Sequence, residues 1–177
     1  MTQTAEQTRV LVHALDQTGD VLDHVHADDL TRPTPCGDWD VSALVDHLMA
    51  TPVNFLTMVQ GGQPDWGAAP PHLTHSWGPE FRVHADDLVH AWHERGDDAP
   101  VATGMVIAEL AVHTWDLARA IDFPLERLDP EVAETGLSFL QANLKPEMRG
   151  DAFGPEQTAP EGAGPYERLA AFAGRQL

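Results

Sequence analysis

Apolar residues along this chain recur in steps of three and four, and no run alternates apolar with polar over the length of a strand. That period buries one face of a helix, so it predicts an all-α protein. Residues 3 to 26 show it first, through Val10, Leu11, Ala14, Leu15, Val21, Leu22 and Val25. The segment TRPTPCG then breaks the pattern with proline and glycine. A second helix is expected from near Asp40. Asp38 or Asp40 can cap it by accepting bonds from the free N–H groups of its first turn. Its apolar positions run from Val41, Leu44, Val45, Leu48 and Met49 to Phe55, Leu56 and Val59, and Pro52 inside the run predicts a kink or irregular geometry. The segment QGGQPDWGAAPP opens a long loop to about residue 78.

A third helix is expected from about Pro79, a favoured first-turn residue, to the break at Gly96. A fourth is expected from about Thr103 to Ile121, and a fifth over residues 130 to 144. After a Gly/Pro-rich loop of low helical content, YERLAAFAGR predicts a short terminal helix that docks back on the body. Several helices in 177 residues, some joined by long loops, fit a single domain over 1–177. Its expected form is a four-helix bundle with extra C-terminal helices.

The charge balance narrows the partners. The formal net charge is -18, from 28 acidic and 10 basic residues, and Lys145 is the only lysine. Nucleic acid and anionic lipid both need basic patches, so neither is an expected partner. The same acidity also serves solubility. The N-terminus lacks the basic start and apolar run of a signal peptide, and no apolar run is long enough to span a membrane. The single cysteine, Cys36, allows no intramolecular disulfide. These features suit a cytoplasmic protein.

The fourth helix, AELAVHTWDLARAI, carries the chemistry. Each residue of an ideal helix turns about 100°. Val106, Leu110, Leu117 and Ile121 mark its apolar face, and His113 lies between Leu110 and Leu117 on that stripe. Glu109 stands four residues earlier, so the two side chains stack on consecutive turns. A buried carboxylate without a partner is costly. Two readings answer that cost: a structural pair between Glu109 and protonated His113, or a metal ion ligated by both. The metal reading needs a third ligand, and His47 in LVDHLMA sits at the edge of the buried stripe of the second helix. Two imidazoles and one carboxylate leave positions open on the ion, as in a catalytic zinc site.

Around these residues several readings stay open. Asp116 either orients a ligand as a supporting carboxylate or forms a surface pair with Arg119 or Arg95. Trp39 and Trp115 read as packing residues rather than substrate platforms. Cys36 reads as a small core residue rather than a thiol beside the metal. His24, His26, His72, His75, His84, His90 and His93 read as surface residues, any of which could supply a fourth ligand.

The segments PTPCGDWDVSALVDHLM, AELAVHTWDLARAI and RLAAFAGR resemble the actinobacterial metal-binding proteins of the DinB/YfiT-like superfamily, and among them the metal-binding domain of mycothiol-dependent maleylpyruvate isomerases. The resemblance spans about residues 5 to 175. It implies an up-down-down-up bundle with a divalent metal, usually zinc, held at one end. The matching positions are His47, Glu109 and His113. It further implies a mycothiol-dependent transferase or isomerase type of enzyme, with the small-molecule thiol activated at the metal for attack on an electrophile. The isomerase carries a further C-terminal domain, and this chain ends at Leu177, which argues against maleylpyruvate as substrate. A metal-dependent hydrolase that activates water is one alternative. A non-catalytic metal- or ligand-binding bundle is another, and a bundle with no metal, in which Glu109 simply pairs with a histidine, is a third. Monomer and homodimer are both compatible with the sequence.

Overall fold

The computed structural model of the protein describes residues 3–68, 75–99, 101–150 and 152–177. Among these residues six α-helices make up the fold: α1 (Gln3–Leu22), α2 (Val41–Val59), α3 (Trp77–Arg95), α4 (Thr103–Ala120), α5 (Pro130–Asn143) and α6 (Pro165–Phe172). Among the described residues there is no strand, only an isolated bridge between Pro33 and Asp40 in the α1–α2 connection. The all-α expectation therefore holds, and each expected helix is present.

Local differences have local causes. α1 ends at Leu22 rather than residue 26, because a short 3-10 turn over Ala27–Asp29 takes the chain toward α2; Val25 is buried all the same. Of the two candidate caps on α2, Asp40 does the work, its Oδ1 accepting from the Ala43 N–H at 2.9 Å. Pro52 does not break α2, which runs continuously across it with Pro52 itself buried. α3 begins at Trp77, so Pro79 falls in its first turn as expected.

Side-chain contacts set the helix directions. Arg82, early in α3, reaches Asp20 at 2.7 Å and Asp23 at 2.9 Å at the end of α1, so these helices run antiparallel. The Thr18 and Thr114 hydroxyls meet at 2.7 Å, and Gln7 shares a cavity with Thr103, so α1 and α4 run parallel. Arg32 accepts the Val41 N–H on its carbonyl and binds Asp122 just past α4, which places the start of α2 beside the end of α4. The bundle is up-down-down-up. α5 and α6 cover the outer side of α4, which is buried apart from Met105, Glu109 and Arg119. A helix covered all round must be apolar all round. Its few buried polar groups therefore stand out as candidates for function. None of the described helices is long and apolar enough to cross a membrane.

Candidate metal centre

The fold brings together the three residues singled out from sequence. His47, Glu109 and His113 offer ligand atoms that all lie within 4.8 Å of one another. His47 Nε2 stands 2.7 Å from Glu109 Oε1, and His113 Nε2 stands 3.4 Å from the same oxygen. The two imidazole rings are 4.7 Å apart, edge to face. The Glu109 side chain is only 22% exposed, and that of His113 11%.

Burial alone pushes the Glu109 carboxyl up. The charge on His113 and hydrogen bonds from both histidines more than offset this and hold it well below the usual carboxylate range. Burial likewise pulls the His113 ring down, but Glu109, Asp116 and Cys36 together raise it well above the ordinary histidine value. Without metal, then, the cluster is an ion-paired site in which the charged His113 ring stands against the Glu109 carboxylate and His47 is hydrogen-bonded to the same oxygen. The structural pair and the metal-ligand set left open by the sequence occupy the same atoms.

His47 lines an open cleft of about 290 Å³ together with Trp39, Ala43, Asp46, Ala50, Trp66, Gly67 and Ala68. Trp39 lies 4.9 Å from the His47 ring and 5.9 Å from the His113 ring, and it is 37% exposed. It is not the packing residue expected from the sequence. Trp115 is such a residue, fully buried in α4. Trp66 also lines the cleft, its ring 5.9 Å from that of His47. It is held there by an edge contact with Phe55, while Asn54 accepts the neighbouring Asp65 N–H at 3.0 Å. Sequence reading passed over Trp66, although a tryptophan within a Gly/Pro-rich loop was its visible signal.

Behind the site, Asp116 is fully buried. Its partner is neither Arg119 nor Arg95, both of which are exposed, but Arg175. The guanidinium binds both carboxylate oxygens, with Nε at 3.1 Å from Oδ1 and Nη2 at 3.0 Å from Oδ2. Nothing in the local sequence pairs residues 59 positions apart. Cys36 is buried, as expected, with its Sγ 3.5 Å from Arg175 Nη2. His24, His26, His75, His90 and His93 are exposed and His84 partly so; His72 lies outside the described residues. No described surface histidine joins the His47–Glu109–His113 group. His13, which sequence reading left aside, pairs with Asp129 at 2.7 Å away from that group.

An all-helical bundle with this cluster of histidine and carboxylate donors is a DinB-like helical domain with candidate metal ligands. The chain belongs to the mycothiol maleylpyruvate isomerase N-terminal domain family, whose sequence profile matches residues 11–118. It is similar along nearly its whole length to two proteins of Mycobacterium tuberculosis, uncharacterized protein MT0763 of strain CDC 1551 / Oshkosh and uncharacterized protein Rv0738 of strain ATCC 25618 / H37Rv. Each is 28% identical to it, over 93% of this chain and 94% of the relative. No solved structure matches the chain.

Proposed function

We propose that this protein is a thiol-activating metalloenzyme of the mycothiol-dependent transferase type, with His47, Glu109 and His113 as ligands of a divalent cation, zinc by preference. One observation carries the reading: two imidazoles and one carboxylate converge, and one of the imidazoles, His47, lines an open cleft. The donor set fits zinc, which takes nitrogen and oxygen ligands and in catalytic sites keeps a position free. A cation there lowers the pKa of a small-molecule thiol and supplies it as a nucleophilic thiolate at neutral pH.

The residues around the donors select the ligand. Trp39 and Trp66 line the cleft, none of its lining residues is a lysine or arginine, and Asp46 adds an acid. Together with the net charge of -18, this disfavours an anionic thiol such as glutathione and suits an uncharged sugar conjugate such as mycothiol. The cleft also has room for part of an electrophilic small molecule. The family to which the chain belongs supports a thiol of the mycothiol kind.

Metal analysis and calorimetry test this reading together. The purified protein is expected to carry about one divalent ion per chain, and His113→Ala to lose most of it. Mycothiol titrated into zinc-loaded protein, in two buffers of different ionisation enthalpy, should give buffer-dependent heat as the thiol proton is released. Glutathione should give little. Full metal in the His113→Ala protein would remove His113 from the ligand set, and binding of neither thiol to zinc-loaded protein would sink the transferase reading.

A further inference from the structure

We infer that Asp116 and Arg175 are positioning residues for His113, so that the C-terminal segment, outside the stretch that the family profile matches, completes the metal centre. The inference rests on the metal reading above.

Four observations carry it. First, His113 Nδ1 is a buried nitrogen with no hydrogen-bond partner among the described residues. It faces Asp116 Oδ2 at 3.3 Å, outside hydrogen-bond alignment. Asp116 and Glu109 both only accept, so the charged metal-free ring carries a proton on each nitrogen; a cation bound at Nε2 would displace the proton facing Glu109 and leave the one on Nδ1, toward Asp116. A carboxylate behind a ligating histidine has this role generally: it fixes tautomer and ring orientation.

Second, Asp116 cannot turn to meet another partner, because Arg175 takes both of its oxygens. Third, Cys36, His113 and Asp116 form a second donor cluster, which by composition alone could hold a cation. The guanidinium already stands there, 3.0 Å from Asp116 Oδ2 and 3.5 Å from Cys36 Sγ. The protein supplies its own cation on the Nδ1 side and leaves the Nε2 side for the metal.

Fourth, Arg175 is itself built in. Its Nη1 donates to the Ala152 carbonyl at 2.8 Å and the Ala173 carbonyl at 3.3 Å. Gly174 precedes it with φ +83°, and a Cβ at Gly174 would stand 2.5 Å from the Gly154 backbone. Only glycine lets the tail pass so close and deliver the guanidinium to Asp116.

The test combines two measurements. Long-range proton–nitrogen NMR of the histidine rings on zinc-loaded protein should show His113 protonated on Nδ1 and bound to the metal through Nε2. Zinc on Nδ1 with the proton on Nε2 overturns the inference, and this readout needs no variant. Cobalt(II) titration, read by absorption, should show Asp116→Asn and Arg175→Ala binding about 10- to 100-fold more weakly than wild type with an altered visible spectrum, and Arg175→Lys recovering part of the loss. Circular dichroism identifies the folded variants. A folded variant with wild-type cobalt affinity and spectrum overturns the inference as well. If wild-type protein takes up neither zinc nor cobalt, the metal reading fails and the inference fails with it; metal uptake with the other tautomer overturns the inference alone.

Discussion

Glu109 is shared between two histidines, and the response to pH follows from that. In the metal-free protein His113 is held charged well above its ordinary range, chiefly by Glu109. A histidine raised in this way adds stability that is complete below its unfolded value of about 6.5 and is lost as pH rises through the folded value. Glu109 is lowered, so its contribution is present above the unfolded carboxylate value and is lost as pH falls through the folded one. Metal binding instead needs neutral imidazoles, so protons compete with it. Thermal melts between about pH 6 and 9 should therefore fall with pH in chelator and rise with pH in zinc. Parallel curves in the two conditions would show that the ion does not bind at these histidines.

At the scale of elements, close helix approach is what the site depends on. α3 starts against the end of α1 at Gly78, where a Cβ would lie 1.9 Å from Asp23 Oδ1 and 2.9 Å from the Gly19 carbonyl oxygen. The Asp23 side chain can turn away, at the cost of its ion pair with Arg82, but the Gly19 backbone cannot. Gly78→Ala should destabilise the protein by about 1–3 kcal/mol, read as a lower denaturation midpoint. An unchanged midpoint would mean that α1 and α3 separate freely at this end. The helices themselves were legible because their apolar spacing is local, and so were the donors on them: Glu109 and His113 share a face at i, i+4, and His47 borders the stripe of α2. The partners across elements were not. Asp116 finds Arg175 only because α6 and the tail fold over α4, and Trp39 turns to the cleft only because α2 and α4 lie side by side there.

The whole molecule carries a net charge of -18, and several of its arginines are already engaged. Arg9 holds Glu6 and Glu131, Arg32 holds Asp29 and Asp122, and Arg82 holds Asp20 and Asp23. These pairs are partly exposed, and solvent screening leaves exposed pairs worth little. Repulsion among the excess carboxylates is spread over the entire surface. Repulsion should therefore outweigh the pairs, so that raising salt from about 0.01 to 0.3 M increases the melting temperature. A decrease would show that the local pairs dominate.

The period of apolar residues determined the all-α class, the number and order of the helices and the face on which Glu109 and His113 lie. Those are properties of neighbours three and four apart along one chain segment. Only the tertiary structure decided that Trp39 and Trp66 both stand beside His47, that Asp116 is fully buried, and that its charge is met by a guanidinium near the C-terminus. The physical reason is that a buried charge is satisfied by whatever the fold brings within about 3 Å. That partner is fixed by how helices pack, which no local spacing records.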